Sequence, residues 1–147
     1  MDEAEGLLDN CCYGRPYDKP SNLRIIFEAQ AKMAIQSMIV DGTLELASSS
    51  YVLYENSFKE DEAIRNHIID FIKNHAEHFV SNPKAPIIQE LHGTIMATGI
   101  KSMDAYHVAC AIALKCDYFI TTDDRILKYR DDRIKIMSPI QFITEEV

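Results

Sequence analysis

Short strand-like segments alternate along this chain with longer segments of helical periodicity, and no other sequence feature constrains the fold as strongly. Strands are predicted at residues 6–9, 44–48, 117–122 and 134–137. Helices are predicted between them, at residues 23–40, 51–55, 64–79, 87–98, 103–114 and 125–129. A chain that alternates in this way forms a parallel sheet with helices packed against its faces. The predicted fold class is α/β, a three-layer α/β/α sandwich with a short parallel sheet.

The longest predicted helix covers residues 23–40. Its apolar residues recur at steps of three and four, the spacing of one helix face; they are Leu23, Ile26, Phe27, Ala31, Ala34, Ile35, Met38 and Ile39. Ser21 or Asn22 precedes the helix as a cap, and Gly42 follows it as a stop signal. Ile25 and Met33 lie outside the main stripe, which leaves more apolar surface than one buried face requires. This excess predicts a homodimer formed through the amphipathic helices.

A chain of 147 residues fits one domain, predicted to span residues 1–147. Hydrophobic residues make up 47% of it and charged residues 26%, the composition of a globular protein rather than a disordered one. No apolar run approaches the roughly 18 residues of a membrane span. The first five residues are acidic where a secretion signal would be basic. These features predict a cytoplasmic protein.

The cysteines and histidines show no spacing typical of a zinc site or a disulfide framework. All four cysteines are interpreted as reduced thiols; they are Cys11, Cys12, Cys110 and Cys116. Three histidines fall in the predicted helix 64–79 or close to its end, at positions 67, 75 and 78. His75 would lie on the apolar face of that helix while His67 and His78 face away. The sequence therefore predicts no zinc site there.

Four acidic residues stand at the boundaries of predicted elements. They are Asp9 after the first strand, Glu55 in the short helix 51–55, Asp104 at the start of helix 103–114, and Asp123 after the third strand. Open α/β sheets bind ligands beyond the carboxyl ends of their strands, so the four side chains are expected to share one pocket there. Converging carboxylates repel one another unless a cation neutralises them, and a hard divalent cation such as Mg²⁺ is the usual one. The pattern predicts metal-assisted phosphate chemistry.

Asp104 and Asp123 carry the strongest local signals. Asp104 lies in the first turn of a helix, where the helix dipole favours a negative charge, and a purely electrostatic role in that turn explains it equally well. Thr121 stands two residues before Asp123 and is able to hydrogen-bond the loop or the carboxylate. Asp124 is predicted to cap the following helix, which leaves Asp123 for the pocket.

The net charge of −8 is unfavourable for a protein that binds nucleic acid, because such proteins usually carry a basic stripe. Basic residues do stand near three of the four acids; they are Arg15 and Lys19 after Asp9, Lys101 before Asp104, and Arg125 and Lys128 after Asp123. Bound cations would offset the acids themselves. Charge taken alone favours a solvated acidic surface.

Four segments together resemble the PIN-domain family. They are LLDNCC at 7–12, YEN at 54–56, GIKSMDAYHVA at 99–109 and YFITTD at 118–123, of which the last two are specific to the family. The resemblance covers nearly the whole chain. It implies a Mg²⁺- or Mn²⁺-dependent ribonuclease whose metal and catalytic residues are the four acids, with Thr121 in support. Many bacterial members are VapC-like toxins of type II toxin–antitoxin pairs, so the resemblance also implies an RNA substrate, a dimer and a possible antitoxin partner.

Asn10-Cys11 departs from the family pattern, in which a small hydroxyl residue often follows the first aspartate. Asn10 is assigned a supporting position beside Asp9. His107 lies three residues after Asp104 on the same helical face, within reach of the site or the substrate. A local hydrogen bond is the more common role for such a histidine and is the one favoured. The metal would activate a water and stabilise the phosphate charge in an in-line displacement.

Two other protein classes fit this sequence poorly. A response-regulator receiver needs an acid pair after its first strand and a lysine after a late strand, where this chain has Asp9-Asn10 and Thr121-Thr122-Asp123. A serine or cysteine hydrolase lacks support, because the chain has no Gly-x-Ser-x-Gly turn. A non-catalytic PIN-like module that binds RNA or protein stays open as the alternative.

Overall fold

The computed structural model describes residues 3–82 and 84–147. Its strands are β1 (Ala4–Leu8), β2 (Leu44–Ser49), β3 (Ala76–Val80), β4 (Tyr118–Ile120) and β5 (Lys135–Met137). Its α-helices are α1 (Asn10–Gly14), α2 (Leu23–Asp41), α3 (Ser50–Asn56), α4 (Glu62–His75), α5 (Pro86–Met96), α6 (Ser102–Ala113), α7 (Asp124–Leu127) and α8 (Pro139–Gln141). A 3-10 turn covers Arg15–Tyr17 and a π turn covers Phe142–Glu146.

The five strands found in the described residues form one parallel sheet in the order β3-β2-β1-β4-β5. β1 and β2 are buried almost throughout, which requires cover on both faces of the sheet. Helix α2 packs against β2, and α6 packs against β2 and β4. The predicted α/β fold class, a parallel sheet between helices, is confirmed. Within residues 3–82 and 84–147, no helix combines the length and the apolar character that crossing a membrane requires.

The chain builds this sheet outward from β1 in two directions. β2 and β3 extend it on one side, and the chain then returns to place β4 and β5 on the other. The carboxyl ends of β1 and β4 therefore mark the position where the winding reverses, which is where open α/β sheets bind ligands. Leu8 pairs with Ile120, so the residues that follow both strands emerge side by side.

One strand was missed by the sequence prediction. The helix predicted at 64–79 ends at His75, and residues 76–80 form the edge strand β3. Glu77, His78 and Phe79 are all exposed, so the strand shows no alternation of apolar and polar residues. Phe79 fits a helical period by coincidence, and this extended the predicted helix too far.

The segment 10–21 was predicted to be a loop because it contains Gly14, Pro16 and Pro20. It begins instead with α1, which is followed directly by a 3-10 turn that accommodates Pro16. β1 also begins at Ala4, two residues before the predicted start, and includes the buried Glu5. Gly14, Pro16 and Glu5 are stop signals in sequence terms, but the surrounding packing keeps all three within regular elements.

Helix α2 runs from the predicted Leu23 to Asp41, and Asn22, one of the two predicted caps, caps it. It buries only part of the predicted stripe, namely Ala31, Ile35 and Ile39. Leu23, Phe27 and Ala34 are exposed, whereas Glu28 and Lys32 are buried. Glu28 is only 1% exposed because its carboxylate forms ion pairs with Arg15 and Arg24, at 3.1 and 3.2 Å. Apolar periodicity could not predict this, since the partners of a buried charge come from other turns and elements.

Lys32 is buried beside two aromatic rings, and its Nζ donates to Gln36 Oε1 at 2.5 Å. Its side chain is 6% exposed, and its Nζ lies 5.7 Å from the ring centre of Tyr13 and 5.6 Å from that of Phe71. Burial lowers the pKa of Lys32 to about 8. The folded protein therefore holds a cation at neutral pH that water would solvate far better.

Lys32→Met is expected to raise the free energy of unfolding at pH 7 by about 1–2 kcal/mol, because an apolar side chain of similar length fills the same space. The gain should shrink toward pH 9.5. The folded state releases the Lys32 proton near pH 8 and the unfolded chain only near 10.5, so wild-type stability rises between these values. Urea unfolding at both pH values measures this. Lys73→Met on the exposed side of α4 is the control and should change little; an equal gain there would contradict the explanation.

Candidate metal centre

Asp9 is the buried centre of the site. It follows β1 directly, is 3% exposed, and its backbone N–H donates to the carbonyl of Ile120 at 2.9 Å. The hydroxyl of Thr121, at the end of β4, donates to Asp9 Oδ2 at 2.8 Å. The same hydroxyl oxygen accepts the backbone N–H of Asp123 at 3.0 Å. One hydroxyl of Thr121 thus contacts both Asp9 and Asp123; its supporting role in the site stays a prediction.

Glu55 and His107 meet Asp9 from two helices. Glu55 lies near the end of α3, and His107 lies in α6 with its side chain fully buried. The Nε2 atom of His107 is 3.5 Å from Glu55 Oε2 and 3.8 Å from Asp9 Oδ1. The local hydrogen bond favoured for His107 is not seen, because neither of its ring nitrogens has a hydrogen-bond partner in residues 3–82 and 84–147. Its imidazole lies between two of the predicted metal ligands.

Asp104 and Asp123 line one open cleft beside this group. Asp104 lies in the first turn of α6 and is partly exposed, while Asp123 lies in the loop between β4 and α7. Lys101 and Arg125 line the same cleft. Two cations that precede or follow the acids in sequence are therefore also beside them in space. Arg15 is not, since it pairs with Asp18 and Glu28 instead.

The sequence predicts that Asp124 caps α7, but in the structure Asp123 is the cap. Asp123 caps α7, because its Oδ1 accepts the backbone N–H groups of Arg125 and Ile126 at 2.8 and 3.4 Å. Asp124 is not the cap but lies in the first turn, where both its oxygens are held by the guanidinium of Arg24 at 2.9 and 3.0 Å. The cap uses only Oδ1 of Asp123, so Oδ2 is left for a ligand.

The acids of the site raise one another's pKa. Burial raises the pKa of Asp9, and the charge of Glu55 adds to this while His107 opposes it. Burial and then the charges of Asp9 and Asp123 raise the pKa of Asp104 to about 6. Burial by itself lowers the pKa of His107, but the contact with Glu55 and the negative charges of Asp9, Glu55 and Asp104 outweigh it, and the net shift is upward. Without a cation, this cluster is stabilised by retaining protons, and a metal would displace them.

The residues present fit a divalent cation. Donor atoms of Asp9, Glu55 and His107 lie within 4.8 Å of one another, a spacing that a cation with bonds of about 2.0–2.6 Å can bridge after small side-chain movements. Both ring nitrogens of His107 and Oδ1 of Asn10 are buried without a hydrogen-bond partner in the described part of the chain. Carboxylates suit Mg²⁺ and Mn²⁺, and an imidazole nitrogen is the ligand of a transition metal. The metal-binding role of the four acids stays a prediction.

Two residues that shape the site gave no usable sequence signal. Cys11 accepts the backbone N–H of Thr122 at 3.4 Å, and its sulfur lies 3.6 Å from the Thr121 hydroxyl. Arg24 donates to the Thr122 carbonyl at 3.0 Å in addition to holding Asp124. Both fix the loop after β4 from segments far away in sequence. Only the three-dimensional packing of α1 and α2 identifies them.

Comparison with known proteins gives a match in structure only. No family model and no curated protein matches the sequence. Six chains of solved structures match significantly, among them a chain in the crystal structure of VapBC2 from Rickettsia felis bound to a DNA fragment from their promoter. That match has a TM-score of 0.56 and 16% identity, and it covers 91% of this chain and 98% of the other. At this identity the similarity shows the fold alone, and it confirms the PIN-like fold expected from the sequence motifs.

Proposed function

We propose that this chain is a Mg²⁺- or Mn²⁺-dependent endoribonuclease and the toxin of a toxin–antitoxin pair. The observation that supports this most is the placement of His107 Nε2 between Asp9 and Glu55, 3.8 and 3.5 Å away. These groups lie where the sheet winding reverses, and Asp104 raises the local negative charge further. A structural salt bridge needs one acid and one base, whereas this cluster carries a large excess of carboxylate.

The residues of the site would have different roles in RNA cleavage. Asp9, Glu55, Asp104 and Asp123 would hold the metal. A bound divalent cation supplies an activated water and stabilises the charge that develops on the phosphate. Thr121 keeps the Asp9 carboxylate oriented through the bond to Oδ2.

Substrate attraction would come from the edge of the cleft. Lys101 and Arg125 line it together with Asp104 and Asp123. Basic groups beside the acids place a phosphodiester against the metal ligands, while the net charge of −8 disfavours binding elsewhere on the surface. These two cations, beside the three acids Asp104, Asp123 and Asp124 of the same cleft, support an RNA substrate despite the negative overall charge.

The toxin assignment and its partners are supported less directly. The motif resemblance implies an antitoxin, and the fold is shared with a chain of the VapBC2 complex. Helix α2 exposes a series of large apolar side chains; they are Leu23, Phe27, Met33 and Val40. A homodimer through this helix would cover them, and light scattering at micromolar concentration should give the mass of two chains. A cytoplasmic location remains part of the proposal.

The wild-type protein should cleave single-stranded or structured RNA when Mg²⁺ or Mn²⁺ is present, and EDTA should abolish the cleavage. End-labelled RNAs resolved on denaturing gels measure this, and readdition of Mn²⁺ after EDTA is the control. If the pure protein binds Mn²⁺ but cuts no RNA tested, the ribonuclease assignment fails for those substrates. If it neither binds Mn²⁺ nor cuts RNA, the non-catalytic PIN-like binding module is the better assignment.

A further inference from the structure

A second group of metal-ligating side chains lies near the amino ends of β1 and β2, at the opposite end of the strands from Asp9. Glu5 of β1, Glu45 of β2 and His78 of β3 each offer one donor atom, and these atoms lie within 4.8 Å of one another. Glu5 and Glu45 are the second residues of their strands, so the group is remote from Asp9 at the carboxyl end of β1. We propose that these three residues form a second metal site, which binds a transition-metal cation such as Zn²⁺.

The strand register places all three donors on one face of the sheet. Glu5 is the direct partner of Glu45 in the parallel pairing of β1 with β2. Ala47 lies two residues after Glu45, on the same side of the strand, and its partner is His78. Three neighbouring strands therefore contribute one donor each to the same patch.

A β-bulge places His78, rather than Glu77, on the face of the sheet that carries Glu5 and Glu45. Between Leu46 and Ala47 the pairing with β3 advances from Ala76 to His78, so that Glu77 is left as the extra residue. In a regular ladder, Glu77 would pair with Ala47 and a third carboxylate would join the face. Bulges commonly re-aim a side chain in this way, and here the result is a mixed oxygen and nitrogen donor set.

Among the described residues, the imidazole of His78 is the only basic group that pairs with the two carboxylates of this group. Glu5 is 7% exposed, and it contacts the imidazole of His78. No lysine or arginine in residues 3–82 or 84–147 forms an ion pair with Glu5 or Glu45. A buried carboxylate directly opposite another is destabilising. A divalent cation would neutralise both and turn the repulsion into a shared bond.

Glu5 has an outer hydrogen-bond partner, as metal-binding carboxylates often do. The thiol of the buried Cys116 donates to Glu5 Oε1, with its sulfur 3.4 Å away, which fixes the carboxylate and leaves Oε2 toward His78. Such outer contacts orient metal-binding side chains. The side chain of His78 is 56% exposed, so an ion has access from solvent.

Two carboxylates and one imidazole suit zinc, with bonds of about 2.0–2.2 Å and water as a fourth ligand. This reverses the prediction that the histidines bind no zinc. That prediction rested on a helix at residues 64–79, whereas His78 belongs to β3.

Zinc titration of the tag-free protein tests the site. Calorimetry should show that His78→Gln and Glu45→Gln each lose one equivalent of Zn²⁺ relative to wild type, or bind it at least about tenfold more weakly, a loss on the scale of one metal-site contact. Glu77→Gln, the neighbouring exposed glutamate, is the matched control and should bind as wild type does. Zn²⁺ should also raise the melting temperature of wild type and of Glu77→Gln more than that of His78→Gln.

The carboxylate site near Asp9 also takes zinc in principle, so Glu55→Gln serves as a second reference. It should retain the equivalent that His78→Gln loses. Equal zinc stoichiometry and affinity in wild type, His78→Gln and Glu45→Gln would overturn the proposal, and so would loss of the same equivalent in Glu77→Gln. Exposed His78 and half-buried Glu45 allow both variants to fold, which a matching circular dichroism spectrum verifies.

Discussion

Asp104→Asn is expected to reduce RNA cleavage by at least about 100-fold, the scale of losing one contact to charge that develops in a transition state. Its melting temperature should stay unchanged or rise. The pKa of Asp104 is raised to about 6 because burial and the charges of Asp9 and Asp123 disfavour its ionised form. At pH 7.5 that carboxylate is mostly ionised, so a neutral amide of the same shape removes a repulsion while it removes a metal ligand.

Asp124→Asn is the matched control for this experiment. Asp124 is an exposed acid that lines the same cleft as Asp104 and Asp123, but the guanidinium of Arg24 holds both its oxygens at 2.9 and 3.0 Å. It should keep most of the cleavage activity and lose a little stability. Destabilisation of Asp104→Asn together with normal cleavage would show that Asp104 only serves the first turn of α6, and the proposed site would then be wrong.

Mn²⁺ at about 100 times its dissociation constant is expected to stabilise the wild-type protein by about 2.7 kcal/mol, which for a chain of this size raises the melting temperature by roughly 5–10 °C. The physical reason is that the folded state alone brings the carboxylates together. EDTA should reverse the shift. Thermal unfolding followed by circular dichroism measures both.

Two variants locate the origin of that stabilisation. Asp104→Asn should lose most of the Mn²⁺ shift, because it removes a ligand from the site near Asp9. His78→Gln should keep it, because His78 lies at the other edge of the sheet. If His78→Gln loses the shift and Asp104→Asn keeps it, the stabilising ion binds at Glu5 and Glu45, and the carboxylate site would have to be abandoned as the main metal centre.

Most of the fold was accessible from local patterns because its central elements are buried on predictable faces. α6 carries a continuous apolar run from Val108 to Ala113, and Asn22 and Gly42 bound α2 as capping chemistry predicts. β3 was not accessible, because an exposed edge strand owes its existence to a neighbouring strand and carries no apolar period of its own.

In the candidate site, too, some residues could be predicted from local sequence while others depend on tertiary packing. Asp9 and Asp123 could be predicted as members because strand ends in an α/β sheet converge, and Thr121 follows from its spacing. The central place of His107 could not, because it depends on α3 packing against α6 and bringing Glu55 to the imidazole. The contribution of Arg24 depends likewise on α2 lying beside the loop after β4.

β1 separates the two proposed ion sites along a single rigid element. Glu5 and Asp9 are four residues apart on the same side of the extended chain, about 13 Å at 3.3 Å per residue. Sites farther apart than about 7–10 Å that share no partner usually contribute additively to stability. An ion at one end should therefore leave the affinity at the other end nearly unchanged, and the double variant Asp104→Asn/His78→Gln should show the sum of the two single effects. One short strand would then connect the proposed catalytic metal site at Asp9 with an independent, structural metal site at Glu5.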